Sequence, residues 1–146
     1  MSFGDDVNRF AQDANRSVER TIRGAELRLF TAVIMDTPVG NPDLWQSPAP
    51  EGYVGGRLRG NWQTSTAAPA TGTSEEPDPS GAETLSAVQA FISALQGGQV
   101  TFLSNNLPYA VPVEYGHSTQ APEGMVRKNI ARFQRLIDAE AKEHQV

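Results

Sequence analysis

The feature that most constrains this chain is a helical periodicity that fills the first 35 of its 146 residues. Between Asp5 and Met35, the residues Val7, Phe10, Ala11, Ala14, Val18, Ile22, Ala25, Leu29 and Val33 recur at steps of three and four. That spacing places them on one stripe of a long helix. Arg9, Arg16, Arg20, Arg23 and Arg28 interleave with Asp13, Glu19 and Glu26 on the other faces, as on a solvated helix laced with ion pairs. Leu27, Phe30 and Ile34 widen the stripe in the second half, as expected where a helix enters a core or meets a neighbouring subunit. Pro38 disfavours the α conformation at Thr37, so the helix is predicted to stop near Asp36.

Beyond this helix the chain is punctuated by glycine and proline. Residues 38–56 carry Pro38, Gly40, Pro42, Pro48, Pro50, Gly52, Gly55 and Gly56, which leaves a long loop. Trp45 and Tyr53 give this loop apolar area that a solvated linker does not need, so it is expected to dock on something. Leu58 to Thr66 reads as a strand with Trp62, Thr64 and Thr66 on one face and a solvent-facing polar face opposite. Ala67 to Ser80 lacks large apolar side chains and reads as a flexible hairpin tip or excursion. Ser80 and Glu83 have capping-box spacing, and Leu85, Val88, Phe91, Ile92 and Leu95 form a helical stripe ending at Gly97-Gly98.

Gln99 to Leu103 is predicted as a short strand. From Leu107 to His117, Tyr109, Val111, Val113 and Tyr115 alternate with Ala110, Pro112 and Glu114 as in a strand, while Pro108 and Pro112 remove backbone donors. This segment therefore reads as a sheet rim, a bulge or a subunit contact. A last helix is predicted from near Pro122, with Val126, Ile130, Phe133, Ile137 and Ala141 on one stripe. The elements imply an α+β fold: a long N-terminal helix, a small mostly antiparallel sheet, a middle helix and a C-terminal helix. They fit one domain over residues 1–146, with long loops at 38–56 and 67–80.

The chemistry is sparse. Cysteine is absent, which excludes disulfides, thiolate nucleophiles and Cys-ligated metal sites. His117 and His144 are the only histidines, and no Gly-x-Ser-x-Gly, His-Glu-x-x-His or Walker-type loop accompanies them. His117 with Glu114 lacks a nucleophile or metal set, so no catalytic, cofactor-binding or metal residue is assigned and no enzyme is expected. Gly55 to Gly60 precedes a strand and lacks the spacing of a phosphate cradle. Its arginines, Arg57 and Arg59, can pair with a carboxylate such as Glu114 of a neighbour, contact DNA or face water.

A net charge of −5 argues against a chain whose whole surface holds nucleic acid. Every Lys and Arg lies in residues 9–59 or 127–142, so the middle is acidic and would repel phosphate if it lined a channel. The N-terminus lacks the basic and apolar regions of a secretory signal, and no run approaches the roughly 20 apolar residues of a membrane span. The protein is expected to act without crossing a membrane.

Two blocks carry a resemblance. Thr37-Pro38-Val39-Gly40, an insertion at 41–55, and Gly56-Arg57-Leu58-Arg59-Gly60-Asn61-Trp62 form the first. Tyr109-Ala110-x-x-Val113-Glu114-Tyr115-Gly116-His117, followed by a proline and a helix, forms the second. In order and spacing they resemble the tail-completion or neck proteins of long-tailed phages, the minor tail protein Z type. The insertion, with Trp45 and Tyr53, departs from that family's pattern, and His117 stands where threonine or serine is commoner.

The resemblance implies a non-enzymatic virion protein without a cofactor. It would be assembled in the host cytoplasm as a ring, a hexamer, at the neck or top of the tail. Its partners would be the head connector or stopper and the tail tube or tail terminator, with phage DNA passing through. Trp45, Tyr53, Arg57, Arg59, Trp62, Tyr109, Glu114, Tyr115 and His117 are the candidate interface residues. A small protein-binding module using the 38–56 loop is the alternative.

Overall fold

The structure is a computed structural model and describes residues 2–96 and 98–144. The predicted first helix is present as α1 (Phe3–Asp36). It opens with a capping box in which the Ser2 hydroxyl accepts the Asp5 N–H and the Asp5 carboxylate accepts the Ser2 N–H. It ends where expected, at an extended Thr37 before Pro38. Only its C-terminal half is anchored: Ala25, Phe30, Val33 and Ile34 are buried, whereas Phe3, Val7, Phe10, Val18 and Ile22 are all at least half exposed.

The long loop contains one 3-10 turn, Pro42–Leu44, and leads into a helical turn, α2 (Arg57–Gly60), before β1 (Gln63–Thr66). The predicted strand over 58–66 thus begins as a helical turn and is a strand only from Gln63. Gly56 sits at φ 108°, and a Cβ there would collide with the backbone of Asp78 and Pro79. With that glycine, the Gly60 N–H donates back to the Gly56 carbonyl (2.9 Å), sending Leu58 into the core.

β1 pairs antiparallel with β2 (Thr101–Ser104), from Gln63 opposite Ser104 to Thr66 opposite Thr101. Between them, the 67–80 excursion folds back onto the body. Asn61 holds it at Ser74, donating to the Ser74 carbonyl (2.9 Å) and accepting the Ser74 N–H (2.8 Å), while Asn106 donates to the carbonyls of Ala70 and Gly72.

The middle helix α3 (Ala82–Ala94) follows a left-handed Gly81 rather than the expected Ser80 cap. Ser80 reaches only the Ala82 N–H (3.2 Å), and the Asp78 carboxylate takes the capping role by accepting the Thr84 N–H (2.8 Å) and hydroxyl (2.7 Å). Gly97, part of the predicted helix stop, lies outside the described residues.

Residues 107–117 depart most from expectation. They are not a strand: after a turn at Leu107, α4 (Ala110–Glu114) forms, with the Val113 N–H donating to the Tyr109 carbonyl (3.1 Å). Pro112 falls in the first turn, where a backbone N–H has no intrahelical acceptor in any case, so its missing donor costs nothing. The apparent alternation instead sends Leu107 and Ala110 inward and leaves Val111 and Tyr115 exposed.

The C-terminal helix is divided into α5 (Arg127–Ile130) and α6 (Phe133–Glu143). Buried Asn129 holds α5 by donating to Asp36 (2.8 Å) and to the Met125 carbonyl (2.6 Å), while α6 lies along α1. Ile130, expected on the apolar stripe, is consequently exposed. One hydrophobic cluster joins Phe30, Val33 and Ile34 of α1 to Leu58, Trp62, Val88, Ile92, Leu107 and Met125. The fold is α+β. Among the described residues, no helix is long and apolar enough to cross a membrane.

Candidate functional site: an aromatic cleft between two sequence blocks

The first block closes the end of α1. Thr37 is completely buried; its hydroxyl donates to the Val33 carbonyl (2.7 Å) and accepts the indole N–H of Trp62 (2.8 Å). The Arg59 guanidinium donates to the carbonyls of Thr37 (2.9 Å), Met35 (3.0 Å) and Pro79 (2.6 Å). A cation thereby meets the unpaired carbonyls at the negative end of the helix dipole. Trp62 and Arg59 thus work inside the fold, and the spacing of Thr37, Arg59 and Trp62 reflects that closure.

The second block does the equivalent for the C-terminal helices. The Glu114 carboxylate accepts the backbone N–H groups of Met125 (2.7 Å), Val126 (2.9 Å) and Arg127 (2.9 Å), and the Arg127 guanidinium (3.1 Å). Burial acts to raise its pKa, but these donors outweigh that and hold it below the ordinary glutamate value. Arg127 also covers the Tyr115 ring at 4.5 Å from the centroid. Arg59 and Glu114, expected to offer charge to a neighbouring subunit, are therefore both satisfied within the chain.

Between the blocks lies a cleft of about 540 Å³. Its aromatic wall is Trp45 and Tyr53, packed edge to face with centroids 4.9 Å apart. The Tyr53 hydroxyl lies so close over Gly40 that a side chain there would collide with it. Val39, Arg57 and Leu58 continue the lining from the first block, and Tyr109 and Val113 come from the second. Burial raises the Tyr109 hydroxyl pKa, with Arg57 acting against that shift. Arg57 also donates to the Ser74 carbonyl (3.2 Å).

Of the residues singled out from sequence, Trp45, Tyr53, Arg57 and Tyr109 meet in this cleft. Trp62 is in the core, Arg59 is on the α1 terminus, and Glu114 and Tyr115 stand beside Arg127. His117 is exposed, and its ring has no hydrogen-bond partner among the described residues, while Glu114 is committed to residues 125–127. The Glu114–His117 pairing is thus not formed. Val39, Val54 and Arg127 were missed. Arg127 was legible only as one charge among several, because its partners lie at positions 114 and 115.

Near the end of α6, Glu140, Glu143 and His144 approach one another, but Arg28 already bonds to both carboxylates and His144 lies 3.3 Å from Glu140. This is an ion-pair cluster clamping α6 to α1. No family model, curated protein or solved structure matches the chain.

Proposed function

We propose that this protein is a structural subunit of a tailed-phage virion, a neck or tail-completion component. In this reading it forms a ring, a hexamer, at the head-proximal end of the tail, joins the tail to the head connector and lets DNA pass. One observation carries the reading. The two blocks that resemble the phage family, about fifty residues apart in sequence, are each the closure of a helix end, and together they frame one cleft. Glu114 is spent on backbone donors rather than on His117.

The test is assembly on the partner. Negative-stain imaging of the protein mixed with phage tail tubes should show added density at the head-proximal end, and light scattering should give a hexameric mass on that partner. Tubes left bare at saturating protein would refute the proposal.

The Trp45–Tyr53 cleft favours a second reading, a small module that binds a protein segment with its 38–56 loop. That reading predicts capture of a peptide without ring formation, lost on Tyr53→Ala. Hydrolysis assays before and after His117→Ala would expose any enzymatic activity.

A further inference from the structure

Positive charge in this acidic chain is concentrated at one place. Residues 124–137 hold Arg127, Lys128, Arg132 and Arg135 and no acid. The turn from α5 into α6 brings all four to an open groove of about 590 Å³, where Glu123 is the one acid among the described lining residues. Two of the cations are committed inside the chain, Arg127 to Glu114 (3.1 Å) and Lys128 to Asp36 (3.4 Å). Arg132 and Arg135 are exposed and carry no side-chain hydrogen bond or ion pair among the described residues. Two planar guanidinium forks at the head of one helix, both without a carboxylate, suit a pair of neighbouring anions.

The chain carries such a pair itself. No Lys or Arg lies between Gly60 and Val126, and within that stretch Glu75 and Glu76 are adjacent. Both are exposed, and neither carboxylate is bonded among the described residues. In the other adjacent acid pair, Asp5-Asp6, the Asp5 carboxylate is committed to the Ser2 capping box. The backbone beneath Glu75 and Glu76 is also fixed. The Ser74 carbonyl accepts from Asn61 (2.9 Å) and Arg57 (3.2 Å), the Ser74 N–H donates to Asn61 (2.8 Å), and the Ser74 hydroxyl accepts the Glu76 N–H (3.0 Å). Docking a turn that is already set in place orders few further groups. Within one copy the turn and the groove form no ion pair, so each is open to another molecule.

We infer that the Glu75–Glu76 turn of one copy docks in the Arg132–Arg135 groove of a second copy of this chain. The two surfaces differ, so a pair joined by one such contact leaves a turn and a groove open for further copies. The contact gives the proposed ring its subunit boundary and rests on that reading only for closure of the ring.

Sedimentation velocity at about 50 mM salt should show reversible association of the full chain by about 100 μM, weakened about 10-fold or more at about 500 mM. Arg132→Glu with Arg135→Glu, and separately Glu75→Arg with Glu76→Arg, should each weaken it about 30-fold or more. Mixing the two double variants should restore association to within about threefold, because the acidic groove of one meets the basic turn of the other. An unfolded variant could not be rescued in this way. A monomer at every concentration, variants that associate like the wild type, or a mixture no stronger than its components would each overturn the inference. A monomer that instead binds a short DNA duplex through Arg132 and Arg135 would overturn it too, by assigning the groove to phosphodiester. No tail tubes enter these measurements. Association here with tubes left bare would sink the ring reading alone, and density on tubes with indifferent charge variants would sink this contact alone.

Discussion

The two halves of α1 share one helix, one periodicity and one sequence style, yet they have opposite fates. From Ala25 to Thr37 the apolar stripe is sealed by α3, α6 and the Arg59–Trp62 closure. From Phe3 to Ile22 the same stripe meets water. Helical periodicity therefore records the existence of a buried face but not which molecule buries it. In the anchored half the partner is in the same chain. In the free half Phe3, Val7, Phe10, Val18 and Ile22 all stay at least half exposed.

The contrast between the halves can be broken most forcefully at the closure. Trp62→Ala removes a buried ring and leaves the Thr37 hydroxyl without its donor, and should cost about 3–5 kcal/mol of unfolding free energy in urea titration. Ile34→Ala, at a fully buried position of α1, should cost about 2–4 kcal/mol by the same measurement. Losses below about 1 kcal/mol in both would mean that the anchored half is not the core it resembles.

Next in size is Glu114→Gln, which keeps the shape but discards the charge gathering three backbone donors and Arg127; a loss of about 1–2 kcal/mol at neutral pH is expected. Because the folded carboxylate titrates below its ordinary value, its contribution is complete above about pH 5 and fades as acid protonates it in the folded protein. Asp78, where burial is outweighed by Thr84, Gly81 and Arg59, has the same sign. Stability followed from pH 7 downwards should therefore fall in the wild type more steeply than in Glu114→Gln. Parallel curves would mean that the cap carries no charge-dependent stability.

The smallest effect is the most diagnostic of the contrast. Val7→Ala at a concentration that keeps the chain monomeric should change stability by less than about 0.5 kcal/mol, whereas Val33→Ala should cost about 1–2 kcal/mol. Equal costs would show that the free arm is packed after all.

The cleft was partly legible in advance. Trp45 and Tyr53 stood out because a solvated loop has no use for such area, and they do form one aromatic wall. That Tyr109 and Val113 complete it from the other block required the fold. Arg59 and Glu114 look in sequence like charges offered outward. Their actual partners are backbone groups of Thr37, Met35 and Pro79 and of residues 125–127, and a backbone amide or carbonyl carries no sequence signature.

By itself the sequence determined what rests on local spacing: α1 and its stop before Pro38, the existence of α3, the irregular 38–56 loop and the α+β class. These rest on periodicity and on proline and glycine sterics, which act over a turn or two of chain. Tertiary structure alone decided that 107–117 coils into α4, because Pro112 fits a first helical turn as well as it fits a strand edge. It also decided that Asp78 displaces Ser80 as the cap of α3, and that the last helix is divided between Ile130 and Phe133. Glu114 of α4 and Asp78 before α3 are held by hydrogen bonds to residues outside their own turns, which local spacing does not record.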